Sequence, residues 1–586
     1  MLHSHLTMLE DFLYLYKGSC NTYVFLADST AVVIDPGNGE IFGILSAMGI
    51  TQVDMVIVTS HKRALSAGVC KAIEHYPKTM IYAPEEERAI FANNDDYWQE
   101  KRIFTQFNLD SSFDAPVQGI PAKNIATTIP DWNGIIFRVL STPGVTKGAI
   151  SISCKIDDRY VVFCGGLLCG GGTVWNLYDF QHNYLPGPLF EEWLESLDTL
   201  LSYAPDTIYP SFGEGPGGAD SITLLKLRVH NLKELMFPKR KFSHQTPVKQ
   251  LLPHLYYVDQ TTFLIVADNG KGFIIDYCGV EDKHLIDLSK KGILKTIDKI
   301  TVSHCHYDHY SSVAELKVKC YNSMTPTTDT EVWTISEMTD VFANPHAYYD
   351  LPCVNPAVLE VDRVFTSGES VCWEGFNLTF YHHPGQTWYA MGLLAEIDGY
   401  RVLFTGDNNW PIKGDRTISP VMFKNVLPPS YIPLAEHVRE LKPDFMAAGH
   451  YGLFKTSENM LESYVTWAKD IEAAFDKISA QKPSRYAIDP SFARVSPYFQ
   501  KVKPGANFPV TVTVKNYHDR DVEIIVAVFG NRQIKTAPAR GSAAFVFNLE
   551  SHNHHNKKRM AATAEVTIDS VFYGQACEFI VETAAL

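Results

Sequence analysis

Three imidazoles and one carboxylate fall between His304 and His309, in the run Ser303-His304-Cys305-His306-Tyr307-Asp308-His309. The run follows Ile300-Thr301-Val302, so it reads as a loop leaving a β-strand. Imidazole nitrogen and carboxylate oxygen suit zinc and related first-row metals. On such a loop His304 and His306 can point to one side, and Asp308 and His309 to another. One short segment can then serve two adjacent ions. A single histidine in a polar loop is usually hydrogen-bonded locally. H-x-H-x-D-H is read differently here because metal-competent groups recur downstream in the order such a site needs.

Those later groups sit in recognisable settings. Asp276 ends the strand-like run Gly272-Phe273-Ile274-Ile275-Asp276. His383-Pro384-Gly385-Gln386-Thr387 is a tight turn, Leu403-Phe404-Thr405-Gly406-Asp407 a strand ending in a carboxylate, and Ala448-Gly449-His450-Tyr451-Gly452 a glycine-flanked histidine. Together with the H-x-H-x-D-H loop, these segments resemble the ordered motifs of the metallo-β-lactamase superfamily over about residues 250 to 480. The resemblance implies an αββα sandwich with metals in loops at the sheet edge. It implies one ion on His304 and His306, a second on Asp308, His309 and His450, and Asp407 bridging both. Gln386 stands where the family has a third histidine for the first ion. Gln386 completes that site through its amide oxygen, or His382 or His383 swings in. Asp308 is also the residue the resemblance assigns to orienting the hydroxide nucleophile, and Tyr307 or Tyr451 could donate to an oxyanion. The implied cofactor is zinc, one or two ions per chain, with iron or manganese as the other metals such a site admits.

The function this implies is a metallohydrolase using a metal-bound hydroxide on a small-molecule ester, thioester, lactone or related bond. The alternatives are a non-haem iron oxidoreductase acting on oxygen or sulfur species, and a non-catalytic metal-binding scaffold. The segment Thr330 to Val354, with Trp333, Phe342, Tyr348 and Tyr349, is either a pocket lid or a buried helix pair.

The elements that must hold these residues extend beyond one domain. A chain of 586 residues is too long for one ordinary core. Val33-Ile34-Asp35-Pro36-Gly37, Thr142-Pro143-Gly144 and Val162-Phe163-Cys164-Gly165 each repeat a segment 241 residues further on. Constant spacing of that kind indicates duplication. Matching Ser60-His61 to Ser303-His304 puts Arg63 opposite His306, Leu65 opposite Asp308 and Ser66 opposite His309. It leaves Val145 opposite Gln386, Gly166 opposite Asp407 and Ser211 near His450. Residues 1–240 are therefore expected to be a degenerate copy without a metal site, and 250–482 the metal-binding copy. From Ser484 onward, alternating β-branched runs without helices predict an immunoglobulin-like sandwich over 484–586. The tract His552, His554 and His555 reads as a solvated hairpin loop.

The net charge of −15 argues against nucleic-acid partners, which need a basic face. Lys239-Arg240-Lys241 reads as a connector. No stretch approaches the roughly 18 apolar residues of a membrane helix. Residues Met1 to Lys17 lack a basic segment followed by an apolar core, so no secretory signal is expected. Eleven dispersed cysteines predict reduced thiols and a cytoplasmic protein. The expected partner is a small-molecule substrate, with homo-oligomerisation through the degenerate or the C-terminal domain.

Overall fold

The computed structural model describes residues 6–92, 122–125, 129–180, 189–238, 247–316, 330–345, 358–423, 427–551 and 559–583. Tyr348, Tyr349, Lys239-Arg240-Lys241 and the histidines 552, 554 and 555 lie outside them. The chain divides into two compact units, one built from Met1–Asn231 and Phe475–Leu586, the other from Leu232–Tyr348 and Asn355–Ala474.

The second unit begins with strands that are apolar without alternation, such as Thr262–Val266 and Lys271–Ile275. Such strands must be covered on both faces. They lie in a seven-stranded sheet ordered Lys249–Leu252, Leu255–Asp259, Thr262–Val266, Lys271–Ile275, Thr296–Thr301, Glu331–Ile335, Arg363–Phe365. The first four pair antiparallel. The helix Asp282–Lys290 then makes the crossover that parallel pairing requires, and the remaining strands run parallel. A six-stranded sheet follows in the order Glu369–Trp373, Phe376–His382, Met391–Ile397, Tyr400–Gly406, Phe445–Ala448, Gly452–Lys455. The two sheets meet through aromatic side chains. Phe263 packs edge-on to Phe404 at 5.4 Å, and Phe365 stacks on Phe380 at 4.1 Å. Trp333 belongs to this layer, against Phe273, Phe365 and Phe380, so it is core rather than lid. Phe342 is likewise buried.

The first unit carries a seven-stranded sheet with the same sequential order and the same switch from antiparallel to parallel pairing at its fourth strand, Thr30–Ile34. Its four-stranded sheet pairs Arg138–Ser141, Ile150–Ile156 and Arg159–Phe163 antiparallel, then Thr207–Tyr209 parallel. The strands from Phe376 to Ala448 repeat that pattern. The same unit holds an all-β region of two sheets, three strands in the order Ala493–Ser496, Asn507–Lys515, Ser542–Glu550 and five from Phe499 to Thr583. Strand Ser542–Glu550 alternates strictly between exposed and buried residues. Its inward Phe545 and Phe547 share a core with Val510, Val512, Ile524 and Val526. A buried ion pair, Arg63 with Glu578, joins this region to the N-terminal block.

Backbone hydrogen bonds correct the residue matching drawn from sequence. Thr59 N–H donates to Asp35 Oδ1 as Ser303 N–H donates to Asp276 Oδ1. Gly37 N–H bonds Leu65 O as Tyr277 N–H bonds His309 O, and Leu65 N–H bonds Lys62 O as His309 N–H bonds His306 O. Ser60, Lys62, Ala64 and Leu65 therefore occupy the places of His304, His306, Asp308 and His309, and His61 that of Cys305. The Ser-His dipeptide common to both segments had pulled the match out by one residue. Further along, ladder pairing puts Phe212 opposite His450 and Ser211 opposite Gly449. Val145, Gly166 and Phe212 still adjoin one another, as Gln386, Asp407 and His450 do. A Cβ on Gly166 would lie 3.0 Å from Val145 and 3.3 Å from Phe212.

Asp35 is fully buried and accepts hydrogen bonds from Thr59 N–H, Thr59 Oγ1 and, at 2.5 Å, Ser211 Oγ. Burial pushes its carboxyl up to about 6 against those bonds. An acid whose folded pKa is raised binds its proton more tightly folded than unfolded. Its contribution is complete below about pH 4 and is lost as pH rises through about 6. Wild type should therefore lose stability relative to Asp35→Asn between pH 4 and pH 7, by roughly 3 kcal/mol if the whole shift is expressed. Paired thermal melts at the two pH values measure this. A difference that stays constant or changes sign contradicts it.

Candidate metal centre

The site is assembled at the ends of strands whose buried residues leave no freedom in register. Strand Thr296–Thr301 delivers the loop of His304, His306, Asp308 and His309, strand Tyr400–Gly406 delivers Asp407, and strand Phe445–Ala448 delivers His450. Asp276 ties the first loop down. It has a left-handed backbone, φ +63°, and its carboxylate takes three donors: Ser303 N–H at 2.6 Å, Ser303 Oγ at 2.7 Å and His309 Nδ1 at 2.7 Å. A carboxylate on Nδ1 makes that nitrogen the proton carrier and leaves Nε2 as the available ligand.

Nε2 of His309 points at Asp407 Oδ1, 3.3 Å away, and His450 Nε2 lies 3.6 Å from the same oxygen. His450 Nε2 is also 3.1 Å from Asp308 Oδ2. His304 Nε2 is 3.7 Å from Asp407 Oδ2 and 2.8 Å from His306 Nδ1, so the two rings assigned to one ion converge. Two groups have ligand atoms within 4.8 Å of one another: His304 with His309 and Asp407, and Asp308 with His309 and His450. Gln386 reaches the cluster as well, its Nε2 donating to Asp407 Oδ2 at 3.3 Å.

The residues fit a metal on one decisive observation. His309 Nε2, Asp407 Oδ1 and Gln386 Oε1 are all buried, and apart from the long 3.3 Å approach of the first two to each other none has a hydrogen-bond partner among the described residues. Such atoms cost about 1–3 kcal/mol each when left so, and a shared cation satisfies them together. The electrostatics agree. Burial, reinforced by the neighbouring His309 and His306, holds His304 well below the usual imidazole range. Burial also opposes a proton on His309, but the Asp276 and Asp407 carboxylates outweigh it and raise His309 well above that range. The Asp407 charge raises His450. Burial would lift Asp407, yet His450 and His309 hold it well below the carboxylate range. Without an ion, protons on the imidazoles balance the buried carboxylate.

Neither upstream histidine replaces the missing one. His382 Nε2 is engaged by the Trp388 carbonyl at 2.8 Å. His383 is fully buried beside Asn409, and burial, then the charge of His437, pushes it down to about 3. Tyr451 is buried with its ring 5.3 Å from Trp410, a wall position. Cys305 is buried and belongs to neither metal group. The Tyr307 side chain lies outside the described residues. Two positioning residues escaped the reading of the sequence. Ser303 links Asp276 to both His304 and His309. Asn408 accepts the Gln386 N–H at 2.7 Å and donates to the His383 carbonyl at 3.1 Å. The only signal for Asn408 was the polar run Asp407-Asn408-Asn409 after a buried strand. Gly449 has a packing reason: a Cβ there would lie 2.7 Å from Asp407 Oδ1.

Comparison with known proteins bears on the same residues. Residues 256–450 match the profile of the family described as the metallo-beta-lactamase superfamily. The match assigns that segment, about a third of the chain, to the superfamily. Two curated relatives are hydroxyacylglutathione hydrolases. The one from Francisella tularensis subsp. novicida (strain U112) is 26% identical over 203 residues, covering 32% of this chain and 69% of that protein. The one from Aeromonas salmonicida (strain A449) is 23% identical over 195 residues, covering 32% of this chain and 59% of its own. Similar solved structures include a metallo-beta-lactamase family protein from Thermus thermophilus, with 19% identity and TM-score 0.30, over 39% of this chain and 83% of that one. Another is the metallo-beta-lactamase GOB-18 from Elizabethkingia meningoseptica, with 19% identity and TM-score 0.29, over 41% and 97%. The matched segment begins inside strand Leu255–Asp259 and ends at His450, so it spans every side chain of the cluster. No described helix of the chain is long and apolar enough to cross a membrane.

The Asp276 clamp predicts a measurable defect. Asp276→Asn should weaken metal binding about 10- to 100-fold while the far-ultraviolet circular dichroism stays that of wild type. Competition with a chromophoric chelator reads the affinity. Unchanged affinity would show that Asp276 does not orient His309.

Proposed function

We propose that residues 250–482 form a zinc-dependent hydrolase of small-molecule esters, with thioesters the first class to examine. The observation that carries this reading is the convergence of ligand atoms on Asp407: His309 Nε2 at 3.3 Å, His450 Nε2 at 3.6 Å and His304 Nε2 at 3.7 Å, with Asp308 Oδ2 3.1 Å from His450 Nε2 and His306 Nδ1 2.8 Å from His304 Nε2. In this reading His304, His306 and Gln386 hold one ion, Asp308, His309 and His450 a second, and Asp407 lies between them. Ions held there supply Lewis acidity and a water nucleophile near neutral pH. The chain's own groups do the rest. The Asp308 and His450 side chains are 34% and 39% exposed, whereas those of His304, His309 and Asp407 are 5% exposed or less, so substrate enters on the Asp308 side. There the Asp308 carboxylate accepts the proton of the attacking water and orients it. The thioester class rests on the two hydroxyacylglutathione hydrolases, which share about a third of this chain.

In the same reading, residues 1–240 are a duplicated copy whose metal ligands have been replaced, and 484–586 is an immunoglobulin-like module. The shared strand order and matching hydrogen bonds of the two blocks support the first point. Two face-packed sheets with strict alternation support the second.

Metal analysis and kinetics test the proposal together. Wild type reconstituted with zinc should hold two ions per chain, and His450→Ala should lose one. Asp308→Asn should lower kcat/KM for a hydroxyacylglutathione thioester by roughly 100-fold or more. No bound metal after reconstitution, or hydrolysis indifferent to Asp308, would sink the reading.

A further inference from the structure

The N-terminal block has a cavity that borders the position matching His450. Its volume is about 690 Å³, within the range of small-molecule sites. Phe212, at the position corresponding to His450, lines it and stacks on Trp175 with ring centroids 6.0 Å apart and planes 11° from parallel. Phe572 and Tyr573, from the C-terminal sheets of the same compact unit, face the cavity as well.

The wall is not neutral. Its ionised side chains are Lys17, Glu214 and Lys482. Lys17 and Glu214 pair at 2.7 Å and cancel. Lys482 is exposed, and its ammonium donates to the backbone carbonyl of Asp476. The cavity therefore carries one positive charge in a chain whose net charge is −15. The cations of the adjoining hollow, Lys62 and Arg63, are each neutralised by a buried carboxylate, Asp179 and Glu578.

We propose that this cavity binds a small aromatic carboxylate, its ring against the Trp175 and Phe212 pair and its charge toward Lys482. Aromatic walls select planar rings and the ammonium selects a single negative charge. The site is separate from the metal cluster and does not rest on the hydrolase reading.

The probes are 2-naphthoate and its uncharged isostere 2-naphthamide, titrated by calorimetry against the full chain. Naphthoate should bind saturably, one per chain, and more tightly than the amide. Lys482→Ala should weaken naphthoate about two- to five-fold and leave the amide unchanged. Trp175→Ala should weaken both. A chelator and His450→Ala should change neither. Absence of saturable binding would overturn the proposal, as would equal affinity for the two probes or no effect of Lys482→Ala. Loss of naphthoate binding on chelation would also overturn it, because the carboxylate would then be on the metal site. Lys482 is exposed, so its variant keeps the test decisive even if Trp175→Ala fails to fold.

Discussion

A buried carboxylate at the end of a central strand organises each block of this chain. Asp276 sits where its strand turns out of the sheet, buried from bulk solvent, so the protein must bring donors to it. Those donors are the backbone and hydroxyl of Ser303 and the imidazole of His309. The interaction that stabilises the strand end therefore also fixes the loop and the tautomer of its last histidine. The remaining ligands need only arrive from neighbouring strands of rigid register.

The N-terminal block meets the same constraint with other side chains on the matching loop. Asp35 keeps its left-handed backbone and its burial, and Thr59 supplies the donors that Ser303 supplies to Asp276. The place of the His309 nitrogen is taken by the Ser211 hydroxyl, brought from the strand that in the other block precedes His450. Leu65 fills the space of His309 as an apolar side chain. Asp35 is a satisfied acceptor even so, because a different strand end supplies the third bond.

Charge is handled differently in the two blocks. In the second, three carboxylates, Asp276, Asp308 and Asp407, face four imidazoles, an arrangement that binds protons or cations but does not neutralise itself without them. In the first, Lys62 and Arg63 stand on the corresponding loop and pair with Asp179 and Glu578. Such buried pairs are internally balanced and call for no ion. Glu578 comes from the C-terminal sheets, so this loop joins that region to the N-terminal block.

The sequence by itself determined which residue types lie at each motif, because spacing on a loop and strand-ending carboxylates are local properties. It located His304, His306, Asp308, His309, Asp407 and His450, and it marked Gln386 as the departure. It also marked the C-terminal β-structure, since alternation is visible along a single strand, although the strands begin at Ala493, after a short helix at Arg485–Ile488 that the alternation did not show. What it could not determine depended on contacts between distant segments. The matching of His61 to His304 was wrong by one position, because a shared dipeptide is local whereas register is set by bonds between strands. Only the tertiary structure showed that His382 and His383 are engaged elsewhere, that Asn408 holds the Gln386 turn, and that Trp333 is core. Each of these outcomes is decided by which partner a polar or aromatic group meets, and except for His382, held by Trp388 six residues on, that partner lies tens of residues away along the chain.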